Sequence, residues 1–309
     1  MPPEYSLPLF LLAFDHRSSF EKGLFNATPP VSREVHAGIV KEKEIIFEAN
    51  RLAVAAGAPQ HQSGILVDEE FGAGVARRAV AEGVPLAMPA EISGQDEFEF
   101  QYGDDFGSHI EEFSPTFVKV LVRYNPEGDA DLNSRQTERL ARLTGWLRNR
   151  EQKFLFELLV PATTAQLDSF EGHQGDYDTE LRPKLAAESI ARLQSGGVEP
   201  DIWKVEGLDE AEDAAAIVSQ ARTGGRDDVV CIVLGRGADW ERVAHWIAVG
   251  AGVQGFEGFA VGRTLWHDAL VDQLAGRSTP AQASQVIADR YRKLMHDYER
   301  AATHAGKRA

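Results

Sequence analysis

The chain has almost no sulfur: one cysteine and three methionines in 309 residues. A single cysteine excludes a disulfide framework within the chain and any zinc–thiolate cluster. Cys231 sits in the apolar run 229–234 and reads as an inert core residue. Basic residues are also scarce. Lys and Arg number 32 against 48 Asp and Glu, giving a net charge of −16. A nucleic-acid surface needs a basic patch to displace counterions, so no nucleic-acid partner is expected, and no anionic membrane either. Long hydrophobic runs are missing too. The stretch 7–14 has no basic segment before it and ends in Asp15-His16-Arg17, so neither a secretory leader nor a membrane span is expected, and the cytoplasm is the expected compartment. The nine histidines form no H-x-H or H-x-x-x-H pair, which argues against zinc. Asp15, His16, Glu69 and Glu91 are a weaker alternative set for magnesium. No Walker sequence occurs, and Gly72-Ala73-Gly74 lacks the third glycine of a dinucleotide loop. No cofactor and no metal are expected.

What the chain does have is a recurring alternation. Short apolar runs stand at 8–15, 64–69, 85–92, 117–124, 154–161, 202–207, 228–235 and 257–263. Continuous runs rich in Val, Ile, Leu and Phe are the mark of parallel strands covered on both faces. Helical spacing fills 34–56, 71–83, 135–150, 183–196, 208–222 and 239–251, and a last helix is expected from the Ser278-Thr279-Pro280 cap to about Ala302. The tail 303–309 is expected to fray. Eight strand–helix units without a linker predict a single (β/α)8 TIM barrel over 1–309, with an open doubly wound sheet as the alternative.

Barrel sites lie at the C-terminal strand ends. Two lysines stand there inside apolar runs, Lys119 in 117–122 and Lys204 in 202–207. Burying an ammonium costs several kcal/mol unless it is compensated. A structural ion pair is the plain explanation for one such lysine. Two of them beside carboxylates on neighbouring strands favour catalysis. A strand lysine can attack a carbonyl as a neutral amine, and burial beside another cation disfavours its charged form. Glu157, in the apolar run 154–159, is the candidate proton shuttle, with its carboxyl expected to be pushed toward neutrality by burial. Its alternative role is as a structural partner of either lysine. The turns Gly235-Arg236-Gly237 and Gly262-Arg263 occupy the place where barrels build phosphate sites from backbone N–H groups, with arginine as a clamp. Residues 79–118 carry nine acids and no Lys or Arg, which reads as a solvated mobile loop, or as a lid or subunit contact with Phe98, Phe100, Tyr102 and Phe106 as its apolar face.

These residues also carry a resemblance. LAFDHR (12–17), ILVDEEFG (65–72), EISGQDEFEFQYGDDF (91–106), FVKVLVRYNPEGD (117–129), KFLFELLVPAT (153–163), EPDIWKVEGLD (199–209), VLGRGAD (233–239) and GFAVGRT (258–264) resemble the aldolase-like domain fused behind 5-dehydro-2-deoxygluconokinase in bacterial myo-inositol catabolism. More distantly, the chain is similar to the class I tagatose-bisphosphate and sulfofructose-phosphate aldolases. That likeness aligns Asp15, Lys119, Glu157, Lys204 and Arg263 with site residues, Lys204 as the Schiff-base lysine. Gly235-Arg236-Gly237 departs from the smaller residues usual at the phosphate turn.

The resemblance implies a metal-independent class I aldolase acting on a phosphorylated keto-sugar. The implied cleavage is of 2-deoxy-5-keto-gluconate 6-phosphate to dihydroxyacetone phosphate and malonate semialdehyde. Lys204 would form the imine, Glu157 move protons, and Lys119 and Asp15 orient hydroxyls. Arg263, Arg236 and the backbone at Gly262 and Gly235 would hold phosphate, and Arg17 or Arg123 the far carboxylate. Another phosphorylated ketose, or a non-catalytic sugar-phosphate-binding barrel, are the rival readings. A homo-oligomer is compatible with either.

Overall fold

The computed structural model describes residues 1–307. Its strands are β1 Leu9–Ala13, β2 Ser63–Leu66, β3 Leu86–Pro89, β4 Phe117–Arg123, β5 Lys153–Leu159, β6 Ile202–Glu206, β7 Val230–Leu234 and β8 Phe256–Val261. They pair in parallel in chain order, and β8 returns to pair with β1, Ala260 opposite Leu11. The closed ring is a (β/α)8 TIM barrel, not an open sheet.

Side chains alternate between the two faces of each strand. One set, including Phe10, Val118, Phe156, Trp203 and Val233, packs outward against the helices. The other fills the barrel: Leu9, Leu11, Ala13, Ala87, Phe117, Leu155, Ile202, Ile232 and Ala260 form a separate buried cluster. Going up each inner row by two changes the chemistry. Ala13 is followed by Asp15, Phe117 by Lys119, Leu155 by Glu157 and Ile202 by Lys204, while Ala87 and Pro89 lead to Glu91. The apolar floor is therefore capped by a charged layer at the C-terminal ends.

The main helices are α1 Arg33–Ala55, α2 Glu69–Ala81, α3 Phe106–Phe113, α4 Ala130–Leu147, α5 Arg182–Ser195, α6 Ala211–Arg222, α7 Trp240–Ala251, α8 Arg263–Leu274 and α9 Pro280–His304. Capping side chains fix where several begin. Asp68 accepts from Phe71 N at 2.9 Å and starts α2 two residues before the expected 71. Asp129 accepts from Asp131 N and Leu132 N and starts α4 five residues before the expected 135. Thr279 and Gln282 form a capping box at α9. α9 continues to His304, two residues past the expected Ala302, and Lys307 N bonds Ala302 O at 3.0 Å. Residues 308 and 309 lie outside the described residues. Cys231 is buried and free, its thiol pushed up to about 12 by burial. Among the described residues no helix is long and apolar enough to cross a membrane.

The acidic segment is not a solvated loop, and its aromatics do not form an outward face. Phe98, Phe100 and Phe106 are buried in the chain itself, with Phe100 stacked on Phe106 at 4.2 Å. Its acids meet arginines that arrive later in the sequence. Arg135 and Arg139 grip Glu97, Arg142 pairs with Asp104 and Arg150 with Glu111.

Candidate active site

A cavity of about 310 Å³ opens at the C-terminal strand ends, and all ten residues expected at the site line it: Asp15, Arg17, Lys119, Arg123, Glu157, Lys204, Gly235, Arg236, Gly262 and Arg263. At its base five charged groups interlock. Glu157 and Lys204 are register partners on β5 and β6, so their side chains meet at the same height, Nζ to Oε2 at 3.0 Å. The same Oε2 lies 3.1 Å from Lys119 Nζ. Lys119 also donates to Asp15 Oδ2 at 2.9 Å and to Glu91 Oε1 at 2.7 Å. All five side chains are buried.

The charges set the protonation of the cluster. Burial opposes the ammonium form of Lys119, but Asp15, Glu157 and Glu91 outweigh it and raise its pKa well above the ordinary lysine value. Burial would raise Asp15, yet Lys119, His16 and Lys204 hold it below the ordinary carboxylate range. Glu157 behaves likewise: burial pushes it up, and the two ammonium groups beside it bring it below its usual value. The expected upward shift of Glu157 is thus corrected, because its surroundings are apolar along the strand but cationic at the carboxylate. Glu91 is the carboxyl that burial does raise, against the pull of Lys119 and Arg17. His16 is lowered to about 4, first by burial and then by the cations Arg263 and Lys204, against the pull of Asp15.

The arginines divide by their partners. Arg236 lies in a left-handed conformation, φ 51°, and is ion-paired to Asp178 at 2.6 Å and Glu206 at 3.0 Å. Its Nη1 and Nε are thus held by carboxylates while the side chain still lines the cavity. Arg263 is exposed, forms no ion pair among the described residues and donates to Arg236 O at 3.2 Å. It stands between this cavity and a wider cleft of about 870 Å³. α8 follows Gly262, which offers no side-chain cap; Leu265 N bonds Gly262 O at 2.7 Å, and the N–H groups ahead of it have no side-chain partner among the described residues. Gly262 is required by contact: a Cβ there would fall 2.3 Å from Ala13 O. At Gly237, φ 73°, a Cβ would meet the Arg263 guanidinium at 2.2 Å. Arg17 is buried and donates to Gln101 Oε1 and Glu91 O, both at 3.1 Å, while its Nε has no partner. Arg123 sits on the rim and donates to Gln95 O at 2.7 Å.

The alternative magnesium set does not assemble, since Glu69 bonds His109 Nδ1 at 3.0 Å outside the cavity lining. No group of three His, Cys, Asp or Glu side chains is placed to hold a metal among the described residues. Two features of the site were not read from the sequence in the part they play here. One is Glu91, the third carboxylate on Lys119. The other is Lys43 on α1, fully buried, which donates to Phe14 O at 2.7 Å and His16 O at 3.2 Å and pairs with Asp68. It braces the carbonyls on either side of Asp15. Its signal is spacing: Lys43 stands four residues from both Ile39 and Phe47, on the buried face of the helix.

The architecture resembles solved aldolases. The fructose-bisphosphate aldolase of Plasmodium falciparum superposes with a TM-score of 0.66 at 12% identity, covering 95% of this chain and 91% of that one. An archaeal fructose 1,6-bisphosphate aldolase gives 0.55 at 16% identity, with 92% and 94% covered. A Schiff base forming fructose-1,6-bisphosphate aldolase gives 0.54 at 15%, with 91% and 93% covered. At these identities what is shared is the fold. No curated protein matches the sequence. A family model matches residues 4–302, and the chain belongs to that family, described as uncharacterized protein conserved in bacteria (DUF2090).

Proposed function

We propose that the protein is a class I aldolase in which Lys204 forms an imine with a phosphorylated keto-sugar. The observation that carries this reading is the buried Lys204–Glu157 pair at register positions of β5 and β6, facing a cavity at the catalytic end of a barrel. A non-catalytic binding barrel has no need to bury an amine against a carboxylate inside its ligand cavity.

In this reading the neutral Lys204 amine adds to the ketone carbon. The carbonyl oxygen, protonated through Glu157, leaves as water, and a protonated imine remains. A hydroxyl on the β carbon then loses its proton to a carboxylate of the cluster. Its O–H electrons form the aldehyde C=O, the C–C bond breaks, and that bond's electrons reach the imine nitrogen to give an enamine. Proton return to carbon and hydrolysis release the second product. Lys119 and Asp15 orient the substrate hydroxyls from the β4 and β1 sides.

Arg263 and the first N–H groups of α8 are the proposed phosphate site, because that cation has no carboxylate partner among the described residues and stands at a helix N-terminus. Arg17, buried with one N–H unpaired, is the proposed partner of a substrate carboxylate. Arg123 already bonds the chain on the rim and is second to it. A keto acid phosphate matches two separated cations, and 2-deoxy-5-keto-gluconate 6-phosphate, cleaved to dihydroxyacetone phosphate and malonate semialdehyde, is the proposed substrate. The test is release of dihydroxyacetone phosphate from a panel of phosphorylated ketoses before and after EDTA treatment. Cleavage of the keto acid phosphate, undiminished by EDTA, supports the reading. Activity lost with EDTA and restored by zinc or magnesium refutes it.

A further inference from the structure

The cluster poses a problem of proton placement. With both lysines protonated and all three carboxyls ionised, its net charge is −1. Lys204 must shed a proton to become a nucleophile. Releasing that proton to solvent would leave −2 in a buried group of contacts of 2.7–3.1 Å. Keeping the proton inside the cluster leaves the charge unchanged.

The contacts supply a route. Lys204 Nζ touches Glu157 Oε2 at 3.0 Å, Glu157 Oε2 touches Lys119 Nζ at 3.1 Å, and Lys119 Nζ touches Glu91 Oε1 at 2.7 Å. The route ends at the carboxyl with room for a proton. Glu157 is held by two ammonium groups. Asp15 is held by Lys119, with His16 Nδ1 3.8 Å from its other oxygen. Glu91 is 5% exposed, has Lys119 as its one ion-pair partner among the described residues, and its Oε2 is buried without a hydrogen-bond partner there.

We propose that Glu91 stores the proton that Lys204 gives up, through the continuous chain Lys204–Glu157–Lys119–Glu91. This rests on the aldolase reading and deepens it. One proton passes from Lys204 to Glu157, one from Glu157 to Lys119, and one from Lys119 to Glu91. The start is Lys204 ammonium with Glu91 carboxylate, and the end is Lys204 amine with Glu91 carboxylic acid. Rotation of the Glu91 carboxyl then leaves one oxygen accepting from Lys119 and places the proton on the unpartnered side. Imine formation consumes one proton overall, as amine, ketone and proton become iminium and water. Glu91 returns it along the same contacts. In this scheme Glu91 acts through Lys119 and not on the reacting atoms, so its role is that of a positioning residue.

The groups facing this chain are Asp15, His16 and Arg17 from the end of β1, Lys119 from β4, Glu157 from β5, Lys204 from β6 and Arg263 from the end of β8. Among the shifted groups the directions agree. Asp15 and Glu157 sit below the usual carboxylate range, whereas burial raises Glu91.

The test is the rate of adduct formation at Lys204 with dihydroxyacetone phosphate and cyanoborohydride, followed across neutral pH by peptide mass. In the unaltered protein the proton is exchanged internally, so the rate is nearly flat with pH. In Glu91→Gln the proton must leave to solvent, so the rate is lower at neutral pH and climbs roughly tenfold per pH unit. Glu91→Asp restores the flat profile. A merely structural role for Glu91 lowers the rate equally at every pH, and that parallel profile would overturn the proposal. So would a tenfold-per-unit rise in the unaltered protein, a result that needs no variant to fold. No adduct at all on Lys204 in the unaltered protein would instead sink the aldolase reading.

Discussion

Replacing Lys119 by methionine removes the one cation that touches three carboxylates. In the native cluster Asp15, Glu91 and Glu157 all lie within 3.1 Å of its ammonium. Lys119→Met keeps the chain length and the apolar stem but leaves Glu157 with Lys204 as its ion-pair partner and takes the ammonium away from Asp15 and Glu91. Breaking a buried pair by removing one partner costs about 3–5 kcal/mol. For a chain of this size each kcal/mol shifts Tm by roughly 2–4 °C, so a fall on the order of 10 °C is expected at neutral pH. The sign with pH is specific. In the native protein the depressed Asp15 and Glu157 contribute stability that is present above their unfolded values and is lost as pH falls through the folded ones. Without Lys119 the buried carboxyls rise above their unfolded values. The variant then gains relative stability as pH falls, because protonation removes the uncompensated charge. Calorimetry from neutral to mildly acidic pH should therefore show the Tm gap between the two proteins narrowing. A gap that stays constant or widens on acidification would refute the electrostatic account of this cluster.

Arg263→Ala should raise the KM for a phosphorylated substrate by about one to two decades, since a charge-assisted hydrogen bond contributes roughly 1.5–3 kcal/mol and 1.4 kcal/mol is tenfold. An unchanged KM would move the phosphate elsewhere. Gly262→Ala should lower Tm and impair the site, because the new methyl falls 2.3 Å from Ala13 O on β1; a variant as stable and active as the parent would contradict that packing. The His16 imidazole should remain neutral in NMR titration until pH nears 4. Its folded pKa is depressed below the ordinary 6.5, so this contribution to stability is lost as pH falls from there toward 4. A ring titrating near its ordinary value would contradict the downward shift assigned to this site.

Much of the barrel was legible because double burial leaves an unbroken apolar run. The run 117–124 became Phe117–Arg123 and 202–207 became Ile202–Glu206. β3 is shorter than its run 85–92, since Pro89 offers no N–H to a ladder and the chain turns away to Glu91. Lys119, Glu157 and Lys204 were legible as charges where an apolar residue was due. Their distances were not, because these depend on the β5–β6 register. The carboxylate partners of Arg236 were not legible, because Asp178 and Glu206 are 58 and 30 positions away and arrive only through the fold. The acidic segment was read as a solvated loop because its partners are likewise distant in sequence. Most of its counter-ions lie on or just after α4, with others on α1 and α2, and its local composition is that of an exposed loop. Lys43 was hidden in a charged stretch, although its helical spacing places it inward.

Borohydride reduction of the protein incubated with dihydroxyacetone phosphate tests the central claim most directly. An imine is reduced to a stable secondary amine, whereas a ketone bound without reacting leaves no mark on the chain. The account predicts inactivation and one reduced triose phosphate unit, located by peptide mass at Lys204. It also predicts no adduct and no cleavage in Lys204→Met, or in Lys204→Arg, whose guanidinium stays protonated. An adduct on Lys119 that persists in Lys204→Met would exchange the roles of the two lysines. Cleavage with neither lysine labelled would contradict the account.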